Sequence, residues 1–487
     1  MNTAMECYFM AFTVVLYALL VAIGAAHHEP WADEAQAWLV ASDNSWLELQ
    51  WKYLRHEGSP GLWHTILYLP AHLGLPYETS IASVAAVVAI AGVALFLWHS
   101  PLPSWLNALV PFTFFVLYQY AVVARSYCLF LVLLGLAALF LKTWSTRPLR
   151  LSIVLVLLSH VSVHGALLSL AFIAQVSADM FAGRREYRSW AAGRGAAAVA
   201  LFALNGFVLL LLMQRPPDLA FAAIASETLG EGLTAGAHYA GMAFAGHALP
   251  LPVANIVLLF GGITLIWAAM RGAVFGLVGA VLLSILAGAQ YSNVWHEGAL
   301  FLAWLFGLWI AWDRFRPQDR FRQRLVTYIT TAIVTLHVFY GVATWRQDLF
   351  DGYSGAREAA RYLKERLAPG QTLWAYDFTA VAIQPYFDRP VFGNFTAAGE
   401  GKRFFLWSTR NFQSALPLLP KWQKQLCEHK PDLVFTLRES RYPEKFDVNA
   451  FEACGYEIER EFPGTIFFQG LRLNEMTYLL LRRRADS

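Results

Sequence analysis

The sequence predicts a mostly α-helical, polytopic membrane protein with a small C-terminal α/β domain. Of its 487 residues, 57% are hydrophobic, 15% are aromatic and only 15% are charged. The mean hydropathy is +0.43. A soluble globular domain carries roughly 25% charged residues. The composition therefore excludes a disordered chain, a collagen and a soluble enzyme of this length.

About eleven transmembrane helices are predicted, because a helix that spans a bilayer needs about 20 mostly apolar residues. The run at 151–163 is short, so the exact number of spans between 151 and 182 stays open. The run at 60–74 is also short and borders a polar stretch, which favours a surface or re-entrant helix. The run at 8–26 lacks a preceding basic region, which favours a membrane helix over a cleaved signal peptide. The candidate spans are 8–26, 80–98, 102–119, 126–144, 151–163, 165–182, 195–213, 251–270, 272–289, 297–312 and 325–345.

The distribution of lysine and arginine predicts the orientation, because short cytoplasmic loops are enriched in these residues. We expect a multi-pass protein of the cytoplasmic (inner) membrane, with a cytoplasmic N-terminus and an extracytoplasmic, periplasmic C-terminal domain. In that orientation the basic residues of the cytoplasmic loops are Lys142, Arg147, Arg150, Arg184, Arg185, Arg188, Arg194, Arg271, Arg314, Arg316, Arg320, Arg322 and Arg324. Those of the outer segments are only Lys52, Arg55, Arg125 and Arg215.

Two domains are predicted, a transmembrane domain at 1–345 and an extracytoplasmic domain at 346–487. Beyond 345 charged residues become frequent, and short β-rich runs alternate with helical ones. The residues at 357–367 have a helical pattern, which Pro369 and Gly370 end. The predicted strands are 372–376, 433–437, 456–462 and 465–468. This pattern indicates a small α/β domain.

Four cysteines are too few for a disulfide scaffold. Cys427 and Cys454 are the two in the predicted extracytoplasmic domain, whose compartment permits disulfides. Each follows a helical stretch and precedes a predicted strand, so we expect a disulfide between them, with two buried thiols as the alternative. No P-loop, zinc spacing or dinucleotide-binding motif is present. The net charge of +3 indicates no nucleic-acid partner.

An acidic, Trp-rich segment follows the first predicted span and contains Asp33 and Glu34. From Asp33 onward its helical period predicts a helix that lies at the membrane surface. The structural alternative is that Asp33 and Glu34 only cap this helix. The residues on its apolar faces are Trp38, Leu39, Trp46 and Leu49.

Other polar residues collect on the same predicted face. Arg125 lies in an otherwise apolar stretch, where an ionisable residue is costly and usually functional, with interfacial snorkelling as the alternative. His160 and His164 share a helical face, but without a nearby carboxylate on that helix they indicate a metal site only weakly. A carboxylate can deprotonate a hydroxyl nucleophile, and an arginine can bind a phosphate leaving group. Further polar residues on this face are Tyr127, His238, His247, His296 and Glu297.

The sequence resembles the GT-C class of integral-membrane glycosyltransferases. Within it, the chain is most similar to the branch of protein O-mannosyltransferases and lipid A aminoarabinose transferases. The first matching element is Trp31-Ala32-Asp33-Glu34-Ala35, directly after the first predicted span. The other two are Glu57-Gly58-Ser59-Pro60-Gly61-Leu62-Trp63 and Ala124-Arg125-Ser126-Tyr127. The resemblance covers most of 8–345, and a long membrane part followed by an outer domain also fits it.

The resemblance implies an inverting transfer of a sugar from a polyprenyl-phosphate donor to an acceptor hydroxyl on the outer side. Asp33 would be the general base, Glu34 would orient Asp33 or the acceptor, and Arg125 would bind the donor phosphate. Relatives often have a lysine where this chain has Ser59, so Lys52, Arg55 and His56 are further candidates for the phosphate, as is His296. The residues assigned to substrate binding are Glu57, Tyr127, His164, His238 and Glu297.

The expected partners are the polyprenyl-phosphate sugar, an acceptor that is a lipid-linked glycan, a lipid or a protein, and the bilayer. No cofactor is expected to be required, although Glu57 and Glu297 leave a divalent metal as an alternative. The rival function is a multi-pass lipid or glycan transporter or flippase. It explains less well why acids and aromatics concentrate in the outer loop, and the two similar halves often seen in transporters are absent from the sequence. A non-catalytic factor of glycan assembly in the cell envelope is a third alternative.

Overall fold

A computed structural model describes residues 3–183, 193–220, 228–290, 293–314, 320–415, 419–443 and 446–484. Of the basic residues used to predict the orientation, Arg184, Arg185, Arg188 and Arg316 lie outside these ranges. The helices up to residue 350 are α1 (Thr3–His27), α2 (Ala32–Ser42), α3 (Trp46–Glu48), α4 (Leu54–Glu57), α5 (Leu62–His72), α6 (Tyr77–His99), α7 (Ser104–Asn107), α8 (Cys128–Leu141), α9 (Pro148–Ser159), α10 (Val163–Phe181), α11 (Arg194–Leu212), α12 (Leu229–Ala245), α13 (Leu251–Met270), α14 (Phe275–Ala289), α15 (Glu297–Trp312) and α16 (Arg320–Phe350).

The prediction of a polytopic, mostly helical membrane protein is confirmed. Seven of the helices in the described ranges are long and apolar enough to cross a bilayer, namely α1, α6, α10, α11, α13, α15 and α16. Three shorter apolar helices, α8, α9 and α14, correspond to further predicted spans. Helix α15 forms the centre of the bundle, because all of its residues from Glu297 to Trp312 are buried. A helix that is apolar on every side belongs in such a position.

The predicted span at 102–119 is not one regular helix. It consists of α7, a 3₁₀-helix at Val110–Phe112 and a π-helix at Phe114–Gln119. Pro103 and Pro111 explain the interruption, since proline lacks the amide hydrogen that a helix interior needs. The segment still runs the length of the bundle. The Ser104 hydroxyl donates to Glu6 at 3.3 Å near one end, and the Tyr118 hydroxyl donates to Asp348 at 3.0 Å at the other. Irregular backbone at membrane depth is tolerated when protein surrounds it.

The C-terminal domain is a four-stranded sheet with helices, as predicted. Its helices are α17 (Ala356–Arg366), α18 (Thr409–Ala415), α19 (Leu419–His429) and α20 (Val448–Glu452), and its strands are β1 (Leu373–Ala375), β2 (Leu433–Glu439), β3 (Tyr456–Phe468) and β4 (Leu471–Arg483). The strand order is β1-β2-β4-β3. Strands β1 and β2 pair in parallel, and β4 pairs antiparallel with both of its neighbours. The two strands predicted at 456–462 and 465–468 are one strand, β3, and β4 was not predicted.

Helix α16 extends to Phe350, past the predicted boundary at 345, and the division at that residue stays a prediction.

The tip of the β3–β4 hairpin inserts into one end of the helix bundle. Phe468 packs against Phe114 and Trp295, with ring centroids 4.7 and 5.4 Å apart. The Gly470 amide donates to Thr344 Oγ1 of α16 at 2.7 Å, and the Gln347 side chain donates to the Gly470 carbonyl at 2.9 Å. We call this end of the bundle the domain-bearing face and the other end the opposite face.

Basic residues that the sequence assigned to cytoplasmic loops meet at the opposite face. Lys142 Nζ lies 2.9 Å from Asp313 Oδ1, and Arg314 Nη2 lies 2.7 Å from Asp179 Oδ2. The Arg271 guanidinium donates to the carbonyl of Arg314 at 2.9 Å. The ends of α8, α10, α13 and α15 therefore come together at this face, which fits the predicted alternation of the spans.

Cys427 at the end of α19 and Cys454 after α20 form a disulfide. The prediction of this bond is confirmed, and the alternative of two buried thiols is wrong. The bond joins α19 to the start of β3 across a small apolar cluster that contains Trp422, Phe451 and Tyr456. The other cysteines, Cys7 and Cys128, are free.

We expect the denatured, unreduced protein to contain two reactive thiols and the reduced protein four. Replacing Cys427 with serine should lower the stability of the C-terminal domain by about 2–4 kcal/mol, since a disulfide restricts the unfolded chain. Thiol titration and thermal unfolding measure both effects. Cys7→Ser is the matched control, because Cys7 is exposed and unpaired, and it should leave the melting temperature unchanged. Four thiols without reduction would contradict the bond.

Candidate active site

The candidate site lies at the domain-bearing face and is built around Asp33 and Arg125. Asp33 is in the first turn of α2, and Arg125 lies in the turn before α8. Arg125 Nη2 is 3.0 Å from Asp33 Oδ2, and their side chains are 18% and 30% exposed. The predicted base and the predicted phosphate ligand are thus an ion pair that water can reach.

Glu34 is fully buried and faces away from the solvent-accessible pair. Its Oε1 accepts from the Ala124 amide at 2.7 Å, and its Oε2 accepts from the Trp31 amide at 3.1 Å. Oε2 also lies 3.2 Å from Nε2 of His28. The carboxylate therefore joins the start of α2 to the turn that carries Arg125. The role of Glu34 in orienting Asp33 or the acceptor stays a prediction.

Three aromatic and histidine rings continue the site beyond Arg125. The Arg125 guanidinium lies 5.4 Å from the centre of the Tyr127 ring. Tyr127 packs edge-on against His296 and His164, at 5.9 and 6.5 Å between ring centroids. The His164 and His296 rings are 4.3 Å apart. The start of α10, the start of α15 and the turn before α8 thus bring three predicted ligand-binding residues to the side of Arg125.

Glu297 and His247 form a second pair near the rings of Tyr127, His164 and His296. His247 Nε2 donates to Glu297 Oε1 at 2.7 Å, and Oε2 of Glu297 is buried with no hydrogen-bond partner among the described residues. The His238 ring lies 6.5 Å from that of His247. Helix α12 holds His238, and its Tyr239 hydroxyl donates to the carbonyl of His296 at 2.7 Å. His238 and His247, both predicted to lie on this face, therefore do approach the site.

Glu57 is the second carboxyl group close to Asp33. Its Oε1 accepts from the side-chain amide of Gln36 at 2.7 Å. Burial, reinforced by the negative charge of Asp33, raises the pKa of Glu57 to about 8. Gln36 also exchanges two hydrogen bonds with the backbone of Phe405, at 2.7 and 2.9 Å. The C-terminal domain thereby contributes to this side of the site.

Lys52 and His56 take part in ion pairs elsewhere on the same face. Lys52 Nζ lies 3.1 Å from Glu400 of the C-terminal domain, and His56 Nε2 lies 3.0 Å from Asp218. Nε of Arg55 is buried and has no hydrogen-bond partner among the described residues. The assignment of these three residues to the donor phosphate stays a prediction.

His160 does not join His164 in a metal site. One of its ring nitrogens lies 2.9 Å from Asn205 Oδ1 and the other 3.3 Å from the carbonyl of Pro60. In the part of the chain that the structure describes, no group of three or more His, Cys, Asp and Glu residues is placed to hold a metal ion. The expectation that no metal is required stays a prediction.

Two residues beside the site were not singled out from the sequence. His28 lies between two carboxylates: its Nδ1 is 2.7 Å from Asp348 Oδ2, and its Nε2 faces Glu34. The Tyr118 hydroxyl donates to the same Asp348 oxygen at 3.0 Å. Asp348 carries a weak sequence signal, since it is an acid three residues past the last predicted span. Nothing local in the sequence pairs it with His28.

Comparisons with known proteins give one solved structure to report. No protein-family model matches the chain, and no curated protein matches it significantly. The chain is similar to the crystal structure of ArnT from Cupriavidus metallidurans bound to undecaprenyl phosphate, with 13% identity over 98% of both chains and a TM-score of 0.49. Similarity at this level carries no inference about activity, which rests on the geometry described above.

Proposed function

We propose that this chain is an inverting membrane glycosyltransferase that uses a polyprenyl-phosphate-linked sugar. The single observation that carries the proposal is the Asp33–Arg125 pair, a base and a cation 3.0 Å apart at one end of a membrane helix bundle. A donor with a lipid tail and a phosphate head places its sugar at such a boundary. The tail stays among the helices, and the sugar–phosphate bond reaches the aqueous side.

The reaction is a displacement at the anomeric carbon. Asp33 accepts the proton of the acceptor hydroxyl as its oxygen forms a bond to that carbon. The bond from the carbon to the phosphate oxygen breaks, and its electron pair stays on the polyprenyl phosphate. Attack opposite the leaving group inverts the configuration. Arg125 stabilises the charge that grows on the phosphate, and phosphate binding weakens its hold on Asp33.

Glu57 and the cluster of Tyr127, His164 and His296 complete the proposed site. The raised pKa of Glu57 brings its neutral carboxyl form into the physiological pH range, and in that form Glu57 can donate a hydrogen bond to a sugar or acceptor oxygen. His296, His164 and Tyr127 line the side of Arg125 on which the phosphate would bind. His238 and the His247–Glu297 pair would contact the sugar or the acceptor.

We further propose that the domain-bearing face is extracytoplasmic and that the membrane is the cytoplasmic one. The basic residues at the opposite face support this orientation, because such residues accumulate on the cytoplasmic side. The disulfide in the C-terminal domain supports it independently, since disulfides persist in oxidising compartments.

Asp33→Asn keeps the size of the side chain and removes the base, so transfer should slow by about 10²–10⁴-fold. The purified protein and its co-purified lipids are mixed with a cell-envelope extract, which supplies the acceptor. The rate is the release of polyprenyl phosphate, measured by mass spectrometry. Asp351→Asn is the matched control, because Asp351 lies on the same face in an exposed pair with Arg472. An Asp33→Asn protein that releases polyprenyl phosphate at the wild-type rate would refute the role of Asp33 as the base. A wild-type protein that releases none would favour a transporter.

Arg125→Ala should weaken binding of undecaprenyl phosphate by at least tenfold, and Arg125→Lys should already reduce it, since lysine lacks the planar fork of arginine. Binding is measured in nanodiscs beside the melting temperature of each variant. Arg438→Ala, which removes an exposed pair with Glu461, is the matched control. Unchanged binding together with a lowered melting temperature would show that Arg125 serves only as the structural partner of Asp33.

Cysteine accessibility tests the proposed orientation in intact cells. In a Cys7→Ser background, Arg441→Cys should react with a membrane-impermeant thiol reagent, and Arg320→Cys should react only after permeabilisation. Both positions are exposed, and they lie in the C-terminal domain and at the start of α16. The reverse pattern would place the Asp33–Arg125 pair on the cytoplasmic side.

A further inference from the structure

The His28 side chain contacts two buried carboxylates at once. Its Nδ1 is 2.7 Å from Asp348 and its Nε2 is 3.2 Å from Glu34, and all three side chains are almost fully buried. A neutral imidazole has only one N–H, whereas both ring nitrogens here face acceptors that cannot donate when ionised. Geometry alone therefore favours the doubly protonated imidazolium, which donates to both carboxylates.

The surroundings of His28 support the charged state. Burial opposes the charge, but the carboxylates of Asp348 and Glu34 outweigh it and raise the pKa of His28 to about 10. The Tyr353 ring lies 4.6 Å from the imidazole, a distance at which an aromatic ring stabilises a cation. The other titratable groups around it are the hydroxyl of Tyr118 on Asp348 and the carboxyl of Glu29.

The connections of the two carboxylates lead directly to the reacting pair. Glu34 holds the amides of Trp31 and Ala124, which are two residues before Asp33 and one residue before Arg125. Asp348 lies near the end of α16 and is held from a second side by Tyr118. A chain of hydrogen bonds therefore runs from Asp348 of α16 through His28 and Glu34 to both backbone segments of the site.

We propose that His28 is a positioning residue for the transfer: by binding Glu34 and Asp348 at once, it fixes the segments that carry Asp33 and Arg125. The inference rests on the proposed function and adds to it a residue that touches no substrate. Without His28, the buried Glu34 carboxylate loses the ring nitrogen that lies 3.2 Å from its Oε2, and a buried charge that loses a partner is costly. Glu34 would then turn toward water and release the Ala124 amide. Arg125 would lose its fixed distance to the donor phosphate.

The test uses the full-length protein in nanodiscs as wild type, His28→Gln, Arg125→Ala and the double variant. Amide hydrogen exchange of the peptide around Ala124 reports the position of the segment, and the affinity for undecaprenyl phosphate reports its effect on the site. His160→Gln is the matched control, since His160 is another hydrogen-bonded histidine of the same face. It should change neither reading.

We expect His28→Gln to speed exchange around Ala124 at least tenfold and to weaken undecaprenyl phosphate binding about tenfold when Arg125 is present. In the Arg125→Ala background, His28→Gln should change the affinity by less than twofold, because the two residues act through the same contact. A purely structural role would instead lower the melting temperature in both backgrounds and leave the affinity of the folded protein unchanged.

Three results would overturn the inference. Exchange within twofold of wild type would show that His28 does not hold the segment. An equal loss of affinity in both backgrounds would show that His28 does not act through Arg125. Absence of undecaprenyl phosphate binding by the wild-type protein would remove the proposed function and the positioning role together. This outcome is distinguishable from the second result, which requires a wild type that binds, and from the first, which is an exchange rate and not an affinity.

Discussion

The buried carboxylate of Glu34 is the group on which the geometry of the candidate site depends. It accepts hydrogen bonds from two backbone segments, at Trp31 and Ala124, that lie far apart in the chain. Desolvating a carboxylate is costly, and these amides together with the His28 ring are what make its burial acceptable. Because the backbone donors must be in place for the charge to be buried, the carboxylate specifies one arrangement of the two segments. The partly exposed Asp33–Arg125 pair is then held at a fixed separation by groups that water does not reach.

The bundle supplies the rigid base for this arrangement. Helix α15 is surrounded on all sides and begins at His296 and Glu297, so these residues sit on an element with little freedom to move. The insertion of Phe468 beside Trp295 fixes the C-terminal domain to the same end. The hydrogen bonds of Gln36 with Phe405 make a second attachment one helical turn from Asp33. Surface helices, core helix and C-terminal domain therefore all contribute to one small region.

Much of the architecture could be predicted because long apolar runs and basic loops are local signals. The irregular segment at 102–119 was predicted as a helix because its composition is as apolar as that of its neighbours, while its prolines break the backbone. Strand β4 was missed because its charged and Leu-rich ends hide the alternation expected of a strand. At the site, the motif residues Asp33 and Arg125 could be found from the sequence, but the pairing of Lys52 with Glu400 and of His28 with Asp348 could not. Such pairs join residues more than 300 positions apart, and they follow only from the tertiary fold.

That separation has a consequence for biosynthesis. The ribosome releases His28 and Glu34 together with the first helix, whereas Asp348 follows 320 residues later than His28. Until α16 is made and inserted, the two early residues stand at the end of a membrane helix without one of their partners. Water or the translocation machinery must solvate them during this interval. The local structure at the end of α1 is therefore completed late, after nearly all the other helices have been inserted, and a chain shortened before Asp348 would be a poorly packed species for quality-control proteases to recognise.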